Sequence, residues 1–344
     1  MYEKKGEDMA KLTKKRIAWL IIIIIVGFAV GLNMWKGKQR TGPVHIPRTP
    51  KEIFEGEVRE KGYKQRFVAG DRDASDKIVI VNVQGEITNA RWGFSYRRGM
   101  VDELINQLKQ AEKDEYVKAI ILNINSPGGP VIDADILYTK IRELGKKKII
   151  ISLLDKMAAS GGYYVACAAH KIVAHPLTLT GNIGVIMDFI NLQGLLEKKL
   201  GIEMGVIKSG RYKDIGSPYR SMDRNEKKML QDLVDAAHQR FVEKVAAGRN
   251  ISVVKLAPLA DGRIFSGEQA RQVGLVDELG TQDEAIELAK KLSGVERAKV
   301  VEYYFRPRLW DFLSGKISDY LKVKEVSSIP EPTLEYIWHP SFGR

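Results

Sequence analysis

A single cysteine, Cys167, is present among 344 residues. That scarcity excludes an intrachain disulfide framework and any multi-cysteine zinc or iron–sulfur site. Histidine is scarce too. His45, His170, His175, His238 and His339 are scattered, and no H-E-x-x-H pair is present, so a metalloenzyme is not indicated. No segment repeats at a fixed period. Apolar residues, by contrast, make up 44% of the chain, and 13 Tyr, 10 Phe and 5 Trp are more aromatics than a disordered chain carries. The length suits one large or two small domains with a substantial core.

The formal net charge is +12, and its placement is uneven. Residues 1–51 hold a net +8, leaving only +4 for the rest of the chain. A nucleic-acid binder would spread its basic residues over a folded face with aromatics interleaved. Here the excess brackets one apolar run, the arrangement of a membrane-surface segment, and no nucleic-acid partner is expected. The run is Ile17 to Trp35, with no charged residue. At 1.5 Å per residue it reaches about 28 Å, close to the hydrocarbon thickness of a bilayer. Trp19 and Trp35 sit near its ends, where amphipathic rings favour the interface. A cleaved signal peptide, with Ala29 and Gly31 before the cut, is the alternative; the apolar stretch continues past that point, which favours an uncleaved anchor. Lys4, Lys5, Lys11, Lys14, Lys15 and Arg16 precede the run, and Lys36, Lys38, Arg40, Arg48 and Lys51 follow it. The expectation is a single-pass cell-membrane protein with a cytoplasmic N-terminus and an extracytoplasmic domain.

Five segments result: a basic stretch 1–16, the anchor 17–35, a tether 36–75 with Pro43, Pro47 and Pro50, a folded domain 76–294, and a C-terminal extension 295–344. Within the domain, strands are expected at Lys77–Val83, Val117–Ile124, Lys148–Leu154, Lys171–Ala174 and Ile202–Ile207. Helices are expected at Gly99–Ala111, Val131–Leu144, Gly161–Ala169 and Arg224–Gly248. Strands alternating with helices argue for an α/β domain with largely parallel pairing. In the extension, Leu309, Trp310, Leu313, Ile317, Tyr320 and Leu321 have helical spacing, and everything after Val300 is expected to be peripheral.

Two segments carry candidate chemistry. Asn125-Ser126-Pro127-Gly128-Gly129-Pro130 joins a buried strand to a helix. Its glycines leave backbone N–H groups unobstructed, which suits an anion or a developing oxyanion, although a tight turn alone would use the same residues. Met157-Ala158-Ala159-Ser160-Gly161-Gly162-Tyr163-Tyr164 places Ser160 at a helix N-terminus. Serine there is either an N-cap or a nucleophile favoured by the helix dipole. A cap needs no pair of glycines behind it, and each costs about 1 kcal/mol against alanine in a helix. A serine nucleophile needs a base, and no histidine sits in a suggestive motif. Lysine can serve if it is desolvated. The candidate is Lys213, in the glycine- and serine-rich Lys208–Pro218 loop, although a solvated loop lysine is the ordinary alternative.

Taken together, Asn125–Gly129, Ala158–Tyr164, Thr180–Val185, Ser209–Pro218 and Asp261–Gly280 resemble the short, single-repeat form of the signal peptide peptidase A family. The last of these reads sensibly by itself, with Ser266 and Gln269 forming a capping box and Gly274 ending a short helix. The resemblance covers about residues 76–290. It implies a Clp/crotonase-like repeated ββα spiral domain behind an N-terminal transmembrane helix. It also implies a serine endopeptidase with a Ser-Lys dyad: Ser160 as nucleophile, Lys213 as base, and Gly129 and Gly161 as oxyanion-hole donors. The family usually has serine where Asn182 stands, so Asn182, Thr180 and Ser126 are all candidates for orienting the lysine. No metal or organic cofactor is implied. The implied partners are peptide substrates, namely remnant signal peptides and other short hydrophobic or unfolded segments, the membrane, and further copies of the chain in a homo-oligomeric ring. Rival readings are a related membrane-bound serine protease with one dedicated membrane-protein substrate, an inactive scaffold of the same fold, and a crotonase-like acyl-CoA enzyme.

Overall fold

The computed structural model describes residues 63–89, 99–304 and 334–338. The apolar run Ile17–Trp35 and the helically spaced residues of the C-terminal extension lie outside the described residues. Among the described residues no helix is long and apolar enough to cross a membrane.

The chain begins with β1 (Lys64–Gly70), β2 (Lys77–Gln84), α1 (Met100–Lys113), β3 (Val117–Ser126), β4 (Gly128–Pro130), α2 (Val131–Leu144) and β5 (Ile149–Ala159). It continues with α3 (Gly161–Ala166), β6 (Lys171–Ala174), β7 (Leu179–Gly181), α4 (Gln193–Leu200), α5 (Arg224–Arg249), α6 (Val253–Leu256) and β8 (Ile264–Ser266). The remaining elements are α7 (Gly267–Gln272), β9 (Glu278–Leu279), α8 (Gln282–Ser293), β10 (Lys299–Tyr304) and β11 (Glu335–Ile337).

The main sheet runs β1-β10-β2-β3-β5-β6-β9. Every neighbouring pair on this path is parallel except β1 with β10. Parallel strands need both faces covered, and here both are. Val79, Val81, Val83, Ile120, Leu122 and Ile124 pack under α1, α2, α3 and α5. The alternate residues Ile78, Ile80, Ile121, Ile151 and Leu153 pack under Ala285, Ile286, Leu288 and Ala289 of α8. The run of apolar residues in β2, β3 and β5 is thus the signature of strands buried on both sides.

Several expectations need correction. β5 runs to Ala159 rather than ending at Leu154, because its second half gains a new parallel neighbour, β7, at Met157–Ala159. Helix α3 stops at Ala166, and the chain turns back so that the His170 N–H reaches the Ile150 carbonyl. Residues 202–207 form no strand; they are exposed, with no ladder to join. β1 lies inside the stretch assigned to a tether, so the domain starts earlier than residue 76. Its polar, solvent-facing sequence gave little periodic signal. β10 belongs to the stretch assigned to a C-terminal extension, yet it lies between β1 and β2 with Val300 and Val301 buried. β11, from the same extension, pairs with β4 in a second, small sheet. These described parts of the extension are therefore integral.

Candidate active site

Ser160 stands where β5 hands over to α3. Its backbone has φ +52° and ψ −118°, outside the regions open to ordinary residues, including the left-handed helical one. Asn250, also at positive φ, adopts the ordinary left-handed cap at φ 53°, ψ 42°. The Ser160 N–H donates to the Gly181 carbonyl, and its own carbonyl accepts from the Tyr164 N–H, so both flanks of the turn are tied down. The side chain is fully buried, and its Oγ has no hydrogen-bond partner. It does not cap α3. A buried hydroxyl without a partner is costly, and such groups in native proteins call for a functional explanation.

The glycines around Ser160 are required by close backbone approach. A Cβ on Gly162 would lie 2.8 Å from the Ser126 carbonyl oxygen, and one on Gly161 would lie 3.0 Å from Gly128 Cα and 3.2 Å from Gly129 N. Gly128 itself has φ +108°. The Ser126 Oγ accepts from the Gly128 N–H at 3.1 Å and holds this loop in shape. Gly129 and Gly161, the two expected oxyanion donors, are therefore brought side by side. Gly161 opens α3, and the first N–H groups of a helix have no intrahelical partner. Their partial positive charge suits an oxyanion.

The other candidates fall as follows. The Thr180 hydroxyl is buried and donates to the Ala158 carbonyl at 2.7 Å. Asn182, at φ +52°, donates its side-chain N–H to the Gly262 carbonyl at 2.6 Å, which leaves its amide oxygen facing elsewhere. Ser126 is engaged with Gly128 as described. None of the three bonds to Lys213. Lys213 is exposed, on the turn that follows Gly210, and its Nζ has no hydrogen-bond or ion-pair partner among the described residues. The expected burial of this lysine is therefore not realised within one chain. Lys208 is committed differently, to an ion pair with Asp214, whose carboxylate is also held by Arg220. Hydrogen bonds from Arg220 and then Lys208 hold the Asp214 carboxyl far below the usual range.

Among the described residues no histidine is free to substitute for the lysine. His170 accepts from the Ile150 N–H, His175 from the Leu177 N–H, and His238 bonds the Ala260 carbonyl. His45 and His339 lie outside the described residues. Cys167 is buried, and desolvation pushes its thiol up to about 12, so it is no rival nucleophile. Among the described residues no cluster of His, Cys, Asp or Glu could hold a metal ion.

Sequence reasoning missed one neighbour of the site. β11 lies antiparallel on β4, with Tyr336 opposite Gly129. Its position was not legible because the segment is short and distant in sequence.

Residues 142–296 match the model of peptidase family S49, and residues 86–178 match that of the Clp protease family. A putative protease of Synechocystis is 42% identical over 224 residues, spanning 65% of this chain and 77% of that protein. This chain belongs to peptidase family S49. A putative protease of Methanocaldococcus jannaschii is 45% identical over 199 residues, 58% of this chain and 64% of the relative. A putative signal peptide peptidase of Enterococcus faecium is 38% identical over 233 residues, 67% of each chain. The domain is accordingly a mixed α/β, Clp-protease-like peptidase domain. The S49 match contains Ser160, Thr180, Asn182 and Lys213, and the Clp match contains Ser126, Gly129, Ser160 and Gly161.

Proposed function

We propose that the chain is a membrane-anchored serine endopeptidase in which Ser160 is the nucleophile and Lys213 the general base. The observation that carries this reading is the buried, unpartnered Ser160 Oγ on a strained turn beside the amides of Gly129 and Gly161. In the acylation step, neutral Lys213 takes the Ser160 proton while Oγ attacks the peptide carbonyl. The oxyanion is held by the two glycine amides. The lysine then gives its proton to the departing amine, and the C–N bond breaks. For deacylation the same lysine takes a proton from water, hydroxide adds to the acyl carbon, and the proton returns to Ser160. Substrates are remnant signal peptides and other short hydrophobic or unfolded segments at the extracytoplasmic side of the membrane.

The active form is a homo-oligomeric ring. Supporting this, the exposed residues include Phe189, Ile190, Leu195, Ile202, Val206 and Ile207 on the segment that leads to Lys213, and Met229 and Leu233 on α5. So many exposed large apolar residues suit an interface. Covering it would take Lys213 out of solvent. The test is fluorophosphonate labelling together with peptide hydrolysis. Ser160→Ala should lose both and Lys213→Met nearly all of both, with folding and assembly retained; hydrolysis by folded Ser160→Ala at the parent rate would refute the assignment.

A further inference from the structure

From residue 184 to residue 225 no residue is buried, and a segment of that kind has little packing to fix its shape. Around Lys213 the backbone makes only short turns: Lys213 N–H donates to the Gly210 carbonyl, Ile215 N–H to Tyr212 and Ser217 N–H to Asp214. Arg220 departs from this pattern. Its Nε and Nη2 grip the Asp214 carboxylate at 2.8 Å each, a two-nitrogen fork, and Nη2 also reaches the Asp214 main-chain carbonyl at 3.3 Å. Its Nη1 donates to the Glu226 carboxylate at 2.8 Å and to the Ser221 carbonyl at 3.2 Å, while Nη2 reaches the second Glu226 oxygen.

Glu226 is a firm point of attachment. Only 3% of its side chain is exposed, and as the third residue of α5 it also accepts from the Asp223 N–H, closing the capping box that starts the helix. Helix α5 is in turn seated in the core through Phe241, Val242 and Val245. Arg220 thus ties the residue next to Lys213, by side chain and main chain together, to the fixed start of a core helix. A guanidinium fork sets direction as well as distance, which an ammonium in its place would not do.

The same contacts settle the local charge. A free Asp214 carboxylate beside Lys213 would favour the ammonium form, which cannot accept a proton. Lys208 and Arg220 both pair with Asp214, Arg220 with Glu226, and Arg211 with Asp223, so every carboxylate from Lys208 to Glu226 has a cation partner. The neighbouring segment adds only uncharged groups here: Asn191 and Gln193 bond Ser221, and the Leu192 N–H donates to the Pro218 carbonyl.

We infer that Arg220 is a positioning residue for the reaction: it fixes the turn that presents Lys213 and neutralises the carboxylate beside it. The inference rests on Lys213 being the base.

The experiment compares Arg220→Gln and Arg220→Lys with the parent full chain. It reads kcat and KM for peptide hydrolysis across pH, with folding followed by circular dichroism and assembly by sedimentation. Arg220→Gln loses both fork and charge. Its kcat should fall by about 30- to 100-fold with KM within about threefold, because a small misplacement of a reacting group is enough for such a loss. The rising alkaline limb of kcat/KM should move up by about half a pH unit or more, since the uncompensated carboxylates favour the ammonium. Arg220→Lys keeps the charge without the fork, so its limb should return to the parent position while kcat stays about tenfold low. A merely structural role would lower the active fraction and leave the limb in place. Parent kcat in folded, assembled Arg220→Gln overturns the inference, and so does a lower kcat with the limb unmoved. If Arg220→Gln does not fold, parent kcat in Arg220→Lys overturns it. Turnover retained by Lys213→Met sinks the base assignment and the inference with it, whereas inactive Lys213→Met beside fully active Arg220→Gln sinks the inference alone.

Discussion

From Ala158 to Ala169 every residue around the candidate nucleophile is buried, whereas from residue 184 to residue 225 none is. The first region is locked by backbone: Ser160 is bonded to Gly181 and Tyr164, and its glycines touch carbonyls of the neighbouring loop. The second has local turn bonds and a Lys208–Asp214–Arg220 chain of ion pairs that ends on the buried Glu226 of α5. Strain can be stored only where the surroundings over-determine the backbone, so the nucleophile belongs in the first region. The proposed base, Lys213, sits in the second, exposed on a turn.

The comparison breaks first on activity. Ser160→Ala should lower turnover by on the order of 10³-fold or more while leaving thermal stability equal or slightly higher, since the hydroxyl removed has no partner. A large loss of stability would mean that Oγ has a structural role. Next, Lys213→Met should remove nearly all turnover with little change in melting temperature, and Lys208→Met should keep most of it because Lys208 is already paired with Asp214. The reverse ranking on peptide hydrolysis would move the base.

Glycine replacements sharpen the same contrast. Gly128→Ala, at φ +108° against the Tyr336 oxygen, should cost about 2–4 kcal/mol by denaturant titration. Gly210→Ala has nothing within 4 Å of the new Cβ and should fall within about 0.5 kcal/mol of the parent. The smallest effect is in acid. For Asp277, burial raises the carboxyl's pKa, but the Arg249 hydrogen bond and charge, the Ile172 N–H and Lys171 outweigh it and leave the group below its ordinary value. A depressed folded pKa means stability that is present above the ordinary carboxylate range near pH 4 and lost as pH falls below it. Asp277→Asn should flatten the fall of melting temperature below pH 4. Asp214→Asn removes a carboxylate that Arg220 and Lys208 also hold below its ordinary range, so it should flatten the same fall and in addition change protease sensitivity near Lys208.

Much of the fold was legible because strands buried on both faces write themselves as unbroken apolar runs. Lys171–Ala174 and Val131–Leu144 have the expected ends, and the Ser266–Gln269 capping box is present. The paired glycines at Gly161-Gly162 stood out as more than a cap needs, and the close approach of Ser126 and Gly128 is a reason the sequence did not show. What was not legible depends on partners remote in sequence. β1 is polar, β10 resembles any short alternating strand, and β11 is three residues long; each is a strand only because of its neighbour. Ile202–Ile207 is the converse case, an apolar run with no described neighbour to pair with. The place of Ser160 at the start of a helix was suggested by its motif, but its strained backbone and its empty hydrogen-bonding position appear only when the surroundings are packed in three dimensions.

The placement of β10 also sets an order of events during synthesis. The main sheet inserts this late strand between β1 and β2, two of the earliest, and Asn82 bonds Glu302 across 220 positions of sequence. Until residues 299–304 emerge, β1 has no partner and β2 shows one bare edge. Contacts so distant in the chain form slowly, and bare edges invite wrong pairing. A nascent chain interrupted before residue 299 would have most of its helices and the loop bearing Ser160, yet would lack the strand that closes the sheet. The ribosome must therefore deliver nearly the whole domain before any of it is safe from a quality-control protease or a misplaced neighbour.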